Sequence, residues 1–233
     1  MAKIWTGAET MTKREFIFLG PPASGKGTQT SMLAEETGLV HVDTGSLLRE
    51  EIKNKTPEGI EAQKNIDKGQ LAPASLVAKI IEKRLKQPDT EKGFILDGYP
   101  RSIEQAEYLN EIQKHINEHF HKSENVDFKV FYFDMPFDDL MDRIIYRRSC
   151  PNCGKIYNTK FTPPKKEGVC DECDTTLVQR KDDVEDVAKV RFETYFNQTQ
   201  PLISYYEKLG ALHKIDACGS IQDVHTRLLK EVN

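Results

Sequence analysis

No apolar run in these 233 residues approaches the roughly 20 residues that span a bilayer. The opening stretch, Met1 to Arg14, lacks the apolar core of a secretory signal. Together they set the expectation of no membrane partner and a cytoplasmic location, with residues 1–14 a tail and Met11 an alternative start. Neither sign of charge dominates: the formal net charge is −4, with acids and bases mixed along the whole length. That excludes wholesale attachment to nucleic acid and leaves small molecules as the expected partners of a monomer. There is no internal repeat and no low-complexity segment. Cysteine is sparse, and four of the five cysteines sit in two tight pairs.

What the chain does have is alternation. The run Phe16-Ile17-Phe18-Leu19 is continuously apolar, as a strand buried on both faces requires. Phe94-Ile95-Leu96 and Val130-Phe131-Tyr132-Phe133 repeat that style, and shorter candidates lie at Val40-His41-Val42 and Leu212-His213-Lys214-Ile215. Helical patterns fall between them. Val77, Ile80 and Ile81 follow Pro73; Leu140, Ile144 and Ile145 follow Pro136; a long helix is expected from about Asp183 to Leu209, broken near Pro201 and ended by Gly210. Strands alternating with helices predict an α/β fold with a parallel sheet and crossover helices. From Ser149 to Val178 the style changes to Cys, Gly, Pro, Thr and Lys, which reads as a small inserted module.

The first strand runs straight into Gly20-Pro21-Pro22-Ala23-Ser24-Gly25-Lys26-Gly27-Thr28 and then into a helix pattern. This is G-x-x-x-x-G-K in the strand–loop–helix context that gives it meaning. Small residues let backbone N–H groups wrap phosphates, the helix start adds its positive dipole end, and Lys26 supplies a cation. Gly27 takes the place of the usual Ser/Thr magnesium ligand, with the hydroxyl delayed to Thr28, which argues against a GTPase or motor ATPase. The strand Phe94–Leu96 ends in Asp97, at the carboxyl edge where ligands bind, and Asp97 is expected to hold Mg²⁺ through water. Arg143 and Arg147, one helical turn apart, are expected to share a face and an anion.

Cys150-x-x-Cys153 and Cys170-x-x-Cys173 are separated by 16 residues. Two C-x-x-C knuckles present four thiolates, the ligand set of a closed, structural Zn²⁺ site, although ligand identity alone also admits iron. A module of this size buries little core, so a metal staple offsets the deficit. His115, His119 and His121 gather on or after one helix and read as exposed polar decoration.

Gly20 to Thr28, Asp43-Thr-Gly-Ser-Leu-Leu-Arg49, Gly93-Phe-Ile-Leu-Asp-Gly-Tyr-Pro-Arg101, Asp142-Arg-Ile-Ile-Tyr-Arg-Arg148 and Arg180-Lys-Asp-Asp183, with Arg191 beyond, resemble the successive motifs of the adenylate kinases among the nucleoside monophosphate kinases. The spacing is similar to the long-lid bacterial type from about residue 15 to 230. The resemblance implies a P-loop core (15–42, 73–145 and 184–233), a five-stranded parallel sheet, a helical AMP-binding segment (43–72) and a zinc-bearing lid (146–183).

It implies the reaction Mg·ATP + AMP ⇌ Mg·ADP + ADP by direct in-line transfer, with Lys26, Arg101, Arg143, Arg147, Arg180 and Arg191 neutralising charge. Ala23 to Thr28 hold ATP phosphates in this reading, and Arg143, Arg147, Ile156, Tyr157 and Gly219 meet the rest of ATP. Thr44, Arg49, Gln70, Leu71, Ala72, Gly98, Tyr99, Pro100, Arg101, Gln105, Arg180 and Arg191 form the AMP side, with Gln105 reading the base. Two positions depart from the pattern. Ala23 stands where many members have Gly, tolerable if its φ is negative, and Ser46 stands where Asp is common. A CMP or UMP kinase is the nearest rival. A zinc-ribbon P-loop ATPase would carry Asp-Glu at the second strand, where this chain has Asp97-Gly98.

Overall fold

The computed structural model of the chain describes residues 13–120 and 126–232. Its centre is a five-stranded, all-parallel sheet in the order β2-β3-β1-β4-β7. These strands are β1 (Lys13–Leu19), β2 (Val40–Asp43), β3 (Gly93–Asp97), β4 (Val126–Asp134) and β7 (Leu212–Asp216). The continuous apolar runs occupy the middle of the sheet because both faces are covered. Ile17, Leu19, Leu96 and Val130 face one core with helices α4 (Ala74–Leu85), α5 (Ile103–His119) and α8 (Pro201–Lys208). Phe16, Phe18, Ile95, Phe131 and Phe133 face the other, against α1 (Lys26–Thr37), α7 (Glu185–Thr194) and α9 (Ile221–Val232). Burying each such side chain stabilises the fold by about 1.5–3 kcal/mol before chain entropy is counted.

β1 begins two residues before the expected core boundary. Lys13 and Glu15 are buried as an ion pair, and Gln113 of α5 donates to Glu15 at 2.5 Å. The rest of the expected tail, Met11 included, lies outside the described residues. No described helix is long and apolar enough to cross a membrane.

The expected helix 183–209 is three pieces. α7 ends at Thr194, one π-type turn spans Tyr195–Thr199, and Pro201 opens α8 at the first turn, where its missing N–H costs nothing. Gly210 follows with φ 69°, the left-handed cap that the sequence reading assigned to it. The shared helical face of Arg143 and Arg147 does not exist. α6 (Leu140–Ile145) stops short, and Arg147 opens β5 (Arg147–Ser149). A β-hairpin takes over there because β5 pairs antiparallel with β6 (Ile156–Asn158), and Ser149 bridges to Val178. That hairpin frames the cysteine module, whose own small core is Cys150, Tyr157, Cys170 and Leu177.

α2 (Thr44–Lys53) and α3 (Pro57–Ile66) cross as a tight pair between β2 and α4. Asp43 caps α2 by accepting from the N–H groups of Gly45 and Ser46, and Thr56 caps α3 by accepting from Gly59. Of the three histidines, His115 meets Glu82 at 3.0 Å and His119 packs edge-on against Phe120; His121 lies outside the described residues. The cysteines are the one group among the described residues arranged to hold a metal.

Candidate active site

Parallel register brings the chemistry to one edge of the sheet. Phe18 lies opposite Asp97 on β3, and Asp97 lies opposite Asp43 on β2. The loop leaving β1 and the two carboxylates are therefore level at the carboxyl ends of the strands, the crevice where open α/β sheets bind ligands. Gly25, at φ 89°, turns the loop into α1, and Lys26 folds back over it. The Lys26 ammonium donates to the carbonyls of Gly20 and Pro21 at 2.8 Å each and to Ser24 Oγ at 3.2 Å. Ala23 sits at φ 64°, so its tolerance does not come from a negative φ. The loop holds it in the left-handed region, at the strain that a methyl group meets there.

Gly27 lets α1 approach β3 closely: a Cβ there would lie 3.4 Å from Asp97 Oδ2. The same oxygen is 3.4 Å from Thr30 Oγ1 and 3.7 Å from His41 Nε2. Burial pushes the Asp97 carboxyl up, but His41 and the positive charge of Lys26 and Arg101 outweigh it and hold the group below the usual carboxylate range. For Lys26 the balance runs the other way. Burial dominates, Asp97 opposes it, and Arg101, Arg147 and Arg191 add like-charge repulsion, bringing the ammonium down to about 7. The cations gathered around Lys26 form an anion site, with the buried Asp97 carboxylate beside it.

The arginines expected from separate motifs meet around two acids. Asp183 is fully buried and accepts from Arg147 Nε at 2.8 Å, from Arg147 Nη2, and from Arg191 Nη1 at 2.8 Å. Asp182 holds Arg191 from the other side, Nη1 to Oδ2 at 3.0 Å. Burial tends to raise the Asp182 carboxyl, but Arg191, Arg147 and Arg180 lower it overall. Among the described residues, Arg180 has no carboxylate within ion-pair distance. Its Nε donates to Ser149 Oγ at 3.0 Å, and burial together with Arg147 and Arg49 lowers its guanidinium to about 10. Sequence reasoning missed the part played by Asp182, Asp183 and His41. The signal was present for the acids, which directly follow Arg180 in a motif already singled out.

On the β2 side, Arg49 donates to Asp43 Oδ2 at 3.1 Å and to Ser46 Oγ at 2.8 Å. Ser46 in turn donates to Asp43, so the hydroxyl at this departure bridges acid and arginine. Thr44 Oγ1 is buried with no hydrogen-bond partner among the described residues. Arg101 turns back to donate from Nε to the Gly98 carbonyl at 2.8 Å, and a Cβ on Gly98 would meet its Nη2 at 2.7 Å. Gln105 is buried, with its side-chain oxygen accepting from Arg101 N at 2.7 Å. Tyr99 is fully buried. Ala72 is buried and Leu71 partly so, while Gln70 is exposed beside Gly69, whose carbonyl accepts from Thr194 of α7.

Arg143 lies on α6, and the side-chain amide of Asn158, the last residue of β6, donates to its backbone carbonyl at 3.1 Å. Gly219, at φ 103°, lies in the turn that Arg227 fastens by donating to the carbonyls of Asp216 and Cys218 at 2.8 and 2.6 Å. Ile156 is exposed, but the Tyr157 side chain points into the cysteine module and not toward the crevice.

The four Sγ atoms lie within 4.8 Å of one another, with Cys150–Cys173 at 3.4 Å and Cys153–Cys170 at 3.5 Å. A tetrahedron with Zn–S bonds of about 2.3 Å has edges of about 3.8 Å, whereas a disulfide brings sulfurs to about 2.05 Å. The cluster therefore fits a tetrahedral metal and not two disulfides.

A family model described as adenylate kinase matches residues 18–211. The adenylate kinase of Clostridium kluyveri is 42% identical over 213 residues, 91% of this chain and 95% of that protein. That of Archaeoglobus fulgidus is 43% identical over 208 residues, covering 89% and 93% of the two chains. That of Thermotoga neapolitana is 41% identical over 216 residues, covering 92% and 94%.

Proposed function

This chain belongs to the adenylate kinase family, an ATP:AMP phosphotransferase by that membership, and on that premise we propose how its own residues carry the transfer. The observation that carries the reading is the surplus of positive charge around Lys26. Arg101, Arg147 and Arg191 all act electrostatically on Lys26, and Arg180 joins the group through Arg147. Two acids neutralise part of that charge, and burial, reinforced by the like charges that remain, depresses Lys26 and Arg180. A polyphosphate is the ligand that such a site favours.

The backbone of Ala23 to Thr28 and the Lys26 ammonium hold the β- and γ-phosphates of ATP. Thr44, Arg49, Gln70 to Ala72, the backbone of Gly98 to Pro100, Arg101 and Gln105 hold AMP. Arg147, Arg180 and Arg191 spread the charge of the phosphoryl group as it passes between them. Mg²⁺, bound with ATP, supplies charge neutralisation at the phosphate oxygens, and Asp97 is the residue that would hold it through water. No side chain is needed as a nucleophile, since a loose phosphoryl transition state asks for position and charge. Arg143, Ile156, the backbone of Tyr157 and Gly219 enclose the adenosine of ATP.

Water is the competing acceptor. We assign its exclusion to closure of the cysteine module, residues 146–183, and of the α2–α3 segment, residues 43–72, over the core. The four cysteines would hold structural Zn²⁺ in that lid. ADP formation from Mg·ATP with AMP, CMP, UMP and GMP in parallel, and with no monophosphate, tests the reading. Strong preference for AMP with little hydrolysis is expected. Preference for CMP or UMP would overturn the base-reading role of Gln105, and rapid hydrolysis without any monophosphate would overturn closure.

A further inference from the structure

Tyr157 was expected to meet nucleotide, yet the fold has turned its side chain the other way. It is 5% exposed, at the heart of the small core formed with Cys150, Cys170 and Leu177. Its phenol oxygen accepts from the backbone N–H of Asp171 at 2.8 Å. That bond uses a lone pair and leaves the single O–H proton to be placed. The acceptor within reach is Cys170 Sγ, at 3.5 Å, on a cysteine that is itself fully buried. An O–H so enclosed must donate inside the module, because an unpaired buried hydroxyl costs about 1–3 kcal/mol.

We propose that Tyr157 is a positioning residue for the metal centre: its hydroxyl donates to the Cys170 thiolate and sets how firmly the four-cysteine site retains its metal. The proposal rests on the zinc reading of the cluster and deepens it. Four thiolates on one divalent ion carry a net charge of −2, and at the buried Cys150 and Cys170 little solvent is present to spread it. A hydroxyl aimed at one sulfur takes up part of that charge and fixes the direction of the sulfur lone pairs. Outer-shell donors of this kind govern metal affinity as strongly as a weak ligand does. The same oxygen ties the second knuckle through Asp171 N–H, so one side chain from β6 orders both Cys170 and the residue after it.

The test uses the full-length chain with Tyr157→Phe, which keeps the ring in the module core and removes only the hydroxyl. Wild type is expected to carry one equivalent of Zn²⁺ and to surrender it slowly to a chromogenic chelator. Tyr157→Phe should bind one equivalent with affinity lowered about 10-fold or more. With Co²⁺ loaded in place of zinc, its thiolate-to-metal charge-transfer band should move to longer wavelength, because the sulfur has lost a donor. Leu177→Ala, which loosens the same core without touching sulfur, should weaken retention and leave the band where it is in wild type. Affinity within twofold of wild type and an unmoved band in Tyr157→Phe would overturn the proposal. Should Tyr157→Phe fail to fold, a Leu177→Ala band displaced from wild type would overturn it, since packing alone would then set the spectrum. A wild-type chain that holds no metal would overturn the zinc reading itself, and this proposal with it.

Discussion

Asp183→Asn removes one negative charge from a site that has no solvent to replace it. The side chain is fully buried and receives both arms of Arg147 and one of Arg191. Asparagine fills the same volume, but it offers one acceptor oxygen instead of two and turns an N–H₂ toward a guanidinium. Arg191 loses little, because Asp182 still meets it through Oδ2 at 3.0 Å and through its carbonyl at 2.9 Å. Among the described residues, Arg147 has no second carboxylate within ion-pair distance. Breaking a buried pair by removing one partner costs about 3–5 kcal/mol, and the retained Asp182 contact places this change near the lower end, about 3 kcal/mol. For a chain of this size each kcal/mol lowers the melting temperature by about 2–4 °C, so a fall of about 6–12 °C is expected by calorimetry. Inorganic tripolyphosphate should raise the melting temperature more in the variant than in wild type, because its charge reaches an arginine that lacks its acid. A fall below about 2 °C, with the circular dichroism spectrum intact, would refute the view that Asp183 is what holds Arg147 at the crevice. An equal response to tripolyphosphate in both proteins would refute the claim that the two anions act on the same arginine.

Three further outcomes follow from particular residues. Gly59→Ala places a Cβ 2.1 Å from the Glu51 carbonyl oxygen, so α2 and α3 must separate at a cost of about 1–3 kcal/mol or more, and KM for AMP should rise well above that for ATP. For Lys26, a folded-state value of about 7 against an ordinary 10.5 means that the unfolded chain binds more protons between those values, so stability of the ligand-free enzyme should rise from pH 7 toward 10.5. ATP, by restoring counter-charge, should bind with proton uptake near pH 8, read by titration calorimetry in buffers of different ionisation enthalpy; no net uptake would contradict the depressed ammonium. Stripping the metal with a chelator should lower the melting temperature of the cysteine module and leave phosphoryl transfer at low temperature largely intact; abrupt loss of activity in a folded, metal-free chain would contradict a structural role.

The residue order alone determined a good deal. Continuous apolar runs suited a sheet covered on both faces, and G-x-x-x-x-G-K after the first of them marked a strand–loop–helix turn. Two C-x-x-C pairs marked a four-cysteine cluster with the ligand set of a metal site. These are local patterns, and the fold honours them at Phe16–Leu19, Lys26 and Cys150 to Cys173. Pro201 and Gly210 marked a break and an end for the same reason: backbone chemistry acts on its own neighbours.

Tertiary structure decided what depends on residues far apart in sequence. Only the parallel register sets Asp97 level with Phe18 and Asp43, and only the cysteine module's return to the core brings Arg147 to Asp183. The pairing of β5 with β6 overrode a helical spacing that would unite Arg143 with Arg147, because hairpin hydrogen bonds and the small core of Tyr157 and Leu177 outweigh a weak local periodicity. Ala23 is held at a positive φ that its own propensity opposes, and Gln105 spends its oxygen on the backbone of Arg101. Tyr157 turns from the crevice to the sulfur cluster because, in a hairpin, one residue's shift of facing is settled by which side has a core to offer.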